Sequence, residues 1–214
     1  MFNIKYLKSI FPQKEQALFD RKAGVAICIC GHLSEPEILF IERATNPNDP
    51  WSGQIAFPGG RFEESDGDTI TTAIRETQEE VGVSLSHDEF VGVMPPVQGR
   101  RGGAMMDFSI HPSLFIVEEK QSFSLDLEEV GSAFWMPLKY ICDPKNRKSF
   151  IYRHDAFEKE LPAIRFPNNK DLWGLTYLFT RQLLIDLSQE DSFSRFFSDL
   201  NKGLSPQDVY QEYT

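Results

Sequence analysis

Residues Gly59 to Val83 read GGRFEESDGDTITTAIRETQEEVGV, and the second half of that stretch decides the fold. Asp68 is a helix N-cap residue by type, and Gly82 stands where a left-handed glycine ends a helix. The segment between them carries apolar residues at helical intervals, so a helix is predicted over about residues 68–81. With a turn of about 100° per residue and Glu76 set at zero, Glu79 falls near −60° and Glu80 near +40°. Three carboxylates therefore share one face. Thr69 and Thr72 fall on that face too, and their small size is expected to leave room above the carboxylates. Ile70, Ala73, Ile74 and Val81 form an apolar stripe beside the acidic face, so the carboxylates are expected at the edge of the core. Like charges at such spacing cost a few tenths of a kcal/mol per pair, and Arg75 can offset part of this by reaching Glu79 at i+4.

Outward from this helix, the chain alternates strands with few helices. Ala23 to Cys30 is an apolar, β-branched run and Glu37 to Arg43 (EILFIER) a second strand; the turn signals of 31–36 make them a candidate hairpin. Thr45 to Gly53 reads as a loop, and Gln54 to Phe57 as a short strand. Further strands are predicted at Phe90–Met94, Asp107–Glu118 and Ala133–Met136, with shorter ones near Phe150–Tyr152 and Ala163–Phe166. A short amphipathic helix is expected over about 4–20. Apolar residues at 175, 178, 179, 183, 184 and 187 predict a late helix over Trp173–Leu187, followed by a tail to 214. Such a set predicts an α/β fold, an α/β/α sandwich around a mixed β-sheet, in a single domain over 1–214.

The chain has 214 residues and a formal net charge of −10, which argues against non-specific nucleic-acid binding. A polyphosphate ligand would require imported positive charge, and a divalent cation is the simplest source. Charged residues at 25% and 18 Phe suit a globular chain with a large core. Three cysteines, Cys28, Cys30 and Cys142, make no disulfide framework and no zinc spacing, so buried thiols are expected. His32, His87, His111 and His154 lack ligand spacing and read as structural. The start lacks a signal-peptide pattern and no run reaches membrane-spanning length, so a cytoplasmic protein without membrane contact is expected. Phosphate-loop, nucleophile-elbow and Rossmann glycine patterns are all missing.

Glu-x-x-Glu-Glu alone is a common solvated helix face. Hard oxygen ligands on one rigid face also suit Mg²⁺, which keeps several waters and takes its other ligands from substrate phosphates. Gly60 before a short acidic loop, then Arg75-Glu76-x-x-Glu79-Glu80-x-Gly82-Val83, resembles the Nudix box of the Nudix hydrolases. That resemblance implies Glu76, Glu79 and Glu80 as metal ligands, Arg75 as the residue that orients them, and the Gly60 carbonyl as a further ligand. Mg²⁺ is the implied cofactor, with Mn²⁺ as a substitute. Gly60 lies 15 residues before Arg75, one more than usual, and the usual first glutamate would fall at Gly67. Its role passes to Glu63, Glu64, Asp66 or Asp68. The aliphatic position after Arg-Glu is Thr77.

The longer loop is similar to that of the coenzyme A pyrophosphatase subgroup, whose pre-box motif GQIAFPGG matches at Gly53–Gly60. Trp173-Gly174-Leu175-Thr176 also looks like that subgroup. However, Asp49 stands where the subgroup carries an arginine. Trp135-Met136-Pro137 is similar to a Trp-x-Pro of many Nudix enzymes, just ahead of which they supply a further acidic group; that resemblance implies Glu129, six residues before Trp135, as the metal ligand outside the box, against a plain solvated loop charge. Arg43, Arg61 and the basic loop Arg100-Arg101-Gly102-Gly103 are candidates for holding substrate phosphates. Trp135 reads as core.

Two functions follow. The first is Mg²⁺-dependent hydrolysis of a pyrophosphate bond in a nucleoside-diphosphate-linked substrate such as coenzyme A, with ADP-ribose, a nucleotide sugar or another nucleotide as alternatives. The second is a non-catalytic nucleotide sensor, which the retention of all three helix glutamates disfavours. The expected partner is a small-molecule nucleotide, and a homodimer is compatible with the sequence.

Overall fold

A computed structural model describes residues 4–16, 18–31, 35–101, 104–154 and 157–188. The chain divides into two compact units. The larger comprises Asn3–Gly31 and Glu37–Met136; the smaller comprises His32–Pro36 and Pro137–Thr214, together with Met1–Phe2.

In the larger unit, strand β1 (Lys22–Cys30) is the centre of a mixed sheet. Along one edge it runs parallel to β7 (Ala104–Val117) in continuous register from Lys22↔Ser109 to Cys30↔Val117. Its other edge is shared. Ala23 to Val25 pair antiparallel with β4 (Gly59–Arg61), and Ile29 and Cys30 pair antiparallel with β2 (Glu37–Arg43). Ile55–Ala56 (β3) extends β2, and β8 (Val130–Pro137) pairs with β2 as well. Phe90–Val93 (β5) and Val97–Arg101 (β6) pair antiparallel with β7. Strand β1 is buried on both faces because its run of Ala, Val, Ile and Cys has no polar alternation. The expected hairpin of the first two strands is observed, although its turn at 32–34 lies outside the described residues.

Helix α2 (Thr69–Val81) lies directly on β1. Gly24 permits this approach: a Cβ there would sit 2.1 Å from the carbonyl oxygen of Thr69. Ile70, Ala73 and Val81 join Ala26, Cys28, Leu39, Ile41 and Phe115 in the buried core, as the stripe predicts. Cys28 and Cys30 are free thiols inside it, and burial drives the Cys28 pKa upward.

The amino-terminal helix is shorter than the 4–20 window. Helix α1 covers Ile4–Ile10 only. Pro12 disfavours helical backbone at Phe11, and the Gln13 amide ties down the end by donating to Lys8, Phe11 and Val91 carbonyls. The loop expected at Arg100-Arg101 is also corrected. Both residues are the end of β6, in register with Met105 and Ala104. Gly102, Gly103 and the side chains of both arginines lie outside the described residues.

The smaller unit carries α3 (Leu138–Cys142), a three-stranded antiparallel sheet with the strand Phe157–Arg165 at its centre, and helix α4 (Gly174–Ser188). Strands β9 (Arg147–His154) and β10 (Phe157–Arg165) are longer than expected, with β11 at Asp171–Leu172. The Trp173 ring stacks on Phe150 at 4.1 Å. The tail after Ser188 lies outside the described residues. Among the described residues, no helix is long and apolar enough to cross a membrane.

Candidate active site

The site is built by the amino end of β1, by β4 and by the acidic face of α2. Asp68 caps α2 by accepting from the Thr71 N–H at 2.7 Å, and Gly82 ends it at φ 72° in the left-handed region. These two caps fix where the three glutamates stand. Glu80 is buried at 2% exposure, Glu76 is half-buried and Glu79 is exposed.

Arg75 organises the face. Its Nε donates to Asp66 Oδ1 at 2.9 Å and one terminal nitrogen to Asp66 Oδ2 at 3.1 Å. That same nitrogen reaches the Arg61 carbonyl at 3.1 Å. The other terminal nitrogen donates to Glu76 Oε1 at 2.9 Å and Glu79 Oε2 at 2.8 Å. The guanidinium fork thus joins the acidic loop, β4 and two carboxylates of the helix.

Of the four acids in the loop, Asp66 meets Arg75. Glu63 instead begins the 3-10 turn Glu64–Asp66, and Asp68 caps α2. Asp66 also accepts from Thr72 Oγ1 at 2.8 Å and from the Glu63 N–H at 3.0 Å. The Arg75 guanidinium holds the Asp66 carboxyl down at about 2. Thr72 is buried with its hydroxyl bonded to Asp66. Thr69 is likewise buried and bonded to Glu15 through both its hydroxyl and its N–H. Sequence reading missed Glu15, because its partner Thr69 lies 54 residues further along the chain. Thr77, at the aliphatic position, buries its hydroxyl by donating to the Ala73 carbonyl at 2.6 Å.

Glu80 Oε2 accepts from the Gly59 N–H at 2.8 Å, while Oε1 is buried without a hydrogen-bond partner. Burial pushes the Glu80 carboxyl up to about 8, with Glu76 and Glu129 adding repulsion and Gly59 and Arg43 opposing it. Burial also raises Glu76, against the pull of Arg75. Gly60 has no room for a side chain: a Cβ would fall 2.4 Å from the Glu76 carboxylate. Backbone and carboxylate meet there directly.

Glu129 is exposed, and its charge acts on both Glu76 and Glu80. Its carbonyl accepts from the Ala44 N–H at 2.8 Å, which fixes the 126–129 loop against the end of β2. Arg43 ends β2 and gives its Nε to Asp49 Oδ2 at 2.8 Å. Arg61 is exposed, next to Gly60. Trp135 packs against the core and stacks on Phe123 at 6.4 Å.

The donor set fits a hard divalent cation. One oxygen each of Glu76, Glu79 and Glu80 is held by a protein donor, and the second oxygens are left over. Among the described residues, no three acidic, His or Cys side chains converge into a cage. Mg²⁺ does not require one, since it takes few protein ligands and keeps water. The buried, unpartnered Glu80 oxygen is what a cation would satisfy.

This arrangement has known counterparts. The NUDIX domain family matches residues 20–155, and the chain belongs to that family. It is an enzyme of the pyrophosphohydrolase kind that the family comprises. The mitochondrial coenzyme A diphosphatase NUDT8 of Mus musculus is 30% identical over 163 residues, covering 76% of each chain. The peroxisomal coenzyme A diphosphatase ndx-8 of Caenorhabditis elegans is 32% identical over 178 residues, 82% of this chain and 72% of that one. In fold, a MutT/nudix family protein from Enterococcus faecalis aligns with 98% of this chain and 84% of its own at a TM-score of 0.54 and 13% identity.

Proposed function

We propose that this enzyme hydrolyses the pyrophosphate bond of coenzyme A or a close derivative, with Mg²⁺ or Mn²⁺ held at the acidic face of α2. The buried Glu80 Oε1 without a partner carries the metal assignment, because an ionised oxygen there gains most from a cation. Glu76, Glu79 and Glu80 would hold the metal, with the Gly60 carbonyl and Glu129 as further ligands. When bound, the cation supplies charge neutralisation at phosphate oxygens and acidifies water. Arg75 keeps Glu76 and Glu79 in place, and one carboxylate of the set accepts the proton of the attacking water. Arg43, Arg61, Arg100 and Arg101 are the cations assigned to substrate phosphates. Two phosphate-bearing fragments leave.

The substrate assignment is supported by the GQIAFPGG stretch, the lengthened acidic loop and the relatives that are coenzyme A diphosphatases. Asp49, where that subgroup carries an arginine, favours a second reading: another nucleoside diphosphate derivative such as ADP-ribose or a nucleotide sugar. The test is a hydrolysis panel with Mg²⁺ containing coenzyme A, ADP-ribose, NADH, a dinucleoside polyphosphate and GTP, with products separated. Preferential release of phosphopantetheine and an adenosine bisphosphate from coenzyme A supports the first reading. Preferential cleavage of ADP-ribose replaces it with the second.

A further inference from the structure

We propose that Asp49 is a positioning residue, which grips Arg43 by its Nε and so presents the two terminal nitrogens to a phosphate oxygen of the substrate. The inference rests on the pyrophosphohydrolase reading and adds a part of the substrate site to it.

The loop 44–53 is constructed around Asp49. The Asp49 N–H donates to the Asn46 carbonyl at 3.0 Å, and the Ser52 N–H to the Asp49 carbonyl at 3.1 Å. Ser52 Oγ accepts from the Asn46 N–H at 2.9 Å, closing the loop across its neck. Both carboxylate oxygens are committed: Oδ1 accepts from the Trp51 N–H at 2.9 Å and Oδ2 from Arg43 Nε at 2.8 Å. A side chain held through backbone, one N–H and one ion pair has little freedom.

Arg43 is held correspondingly at one point. Its backbone N–H donates to the Gln54 carbonyl at 3.0 Å, and the next residue bonds to the Glu129 carbonyl. Its terminal nitrogens make no hydrogen bond to the protein among the described residues, and its side chain is 27% exposed. Arg43 ends β2, and the 2.8 Å bond from Ala44 N–H to the Glu129 carbonyl sets that strand end beside the acid proposed as the metal ligand outside the box. A guanidinium with Nε occupied and its two terminal groups available is suited to a phosphate, which accepts from parallel N–H donors. Left alone, a long Arg side chain would lose rotamer freedom on binding; the Asp49 contact removes that freedom beforehand.

The test is a double-mutant cycle on binding of α,β-methylene-ADP, a diphosphate that is not hydrolysed, with Mg²⁺, by titration calorimetry. Wild type, Arg43→Ala, Asp49→Asn and the double variant are compared. Asp49→Asn keeps an acceptor for Trp51 and loses only the charge. Affinity is expected to fall about tenfold in Asp49→Asn and at least as far in Arg43→Ala. The double variant is expected to match Arg43→Ala within about twofold, because Asp49 acts through Arg43. In the Arg43→Lys background, which has no Nε, Asp49→Asn should change nothing further. Unaltered affinity in Asp49→Asn, losses that multiply in the double variant, or no binding by wild type at millimolar probe would overturn the inference. The probe needs no turnover, so a failure in the hydrolysis panel is distinct from a failure here.

Discussion

Arg75 and Asp66 form a two-point ion pair, Nε to Oδ1 at 2.9 Å and a terminal nitrogen to Oδ2 at 3.1 Å, with the Asp66 side chain only 3% exposed. Through it the acidic loop is fastened to the helix that carries the glutamates. Asp66→Asn removes the charge and leaves Arg75 among fewer partners. A loss of roughly 2 kcal/mol in unfolding free energy is expected, read from denaturant midpoints. Turnover should fall as well, because Arg75 then holds Glu76 and Glu79 less firmly.

The same pair predicts an acid limb. The folded Asp66 carboxyl titrates at about 2 against an ordinary 3.8. A depressed carboxylate contributes stability that is fully present above the unfolded value and is lost as pH falls through the folded one. Between pH 3.8 and about 2 the wild type should therefore lose stability more steeply than Asp66→Asn, measured as unfolding free energy against pH. Equal slopes would contradict the assignment.

Gly60 stands against the Glu76 carboxylate, the movable end of a flexible side chain. Gly60→Ala should fold, with a melting temperature close to wild type, and bind Mn²⁺ about ten- to a hundredfold more weakly, because Glu76 must turn away. Metal titration followed by calorimetry checks both parts.

Gly24 makes the opposite case. There the obstructing atom is the Thr69 backbone carbonyl oxygen, which a Cβ at Gly24 would meet at 2.1 Å, and backbone cannot move without lifting α2 from β1. Gly24→Ala is expected to destabilise by about 3 kcal/mol, as overpacking against a rigid neighbour does. Thermal unfolding reads it directly.

The parts of the structure that depend on local pattern were legible in the sequence. Helix α2 begins after Asp68 and ends at Gly82 because both caps act within one turn, and Glu37–Arg43 is strand β2 without adjustment. The parts that depend on distant partners were not. Pro12 cut the first helix at Ile10, where amphipathic spacing alone continued it. Arg100 and Arg101 look like a loop until β7 supplies a partner strand. Four acids competed to replace the missing glutamate, and only the folded loop singles out Asp66 as the partner of Arg75. Asp49 was visible as a departure, but its contact with Arg43 depends on how the loop closes.

The most direct test of the central claim is Mn²⁺ affinity measured alongside turnover in Glu79→Gln and Glu80→Gln, each of which nearly preserves shape. Turnover at saturating Mg²⁺ should fall by about two orders of magnitude or more and Mn²⁺ binding should weaken, whereas the melting temperature in chelator stays close to wild type, since without metal the buried Glu80 carboxyl, pushed up to about 8, is largely neutral and Glu79 is an exposed partner of Arg75. Full turnover and unchanged Mn²⁺ affinity in both variants would contradict the assignment of the cation to these glutamates.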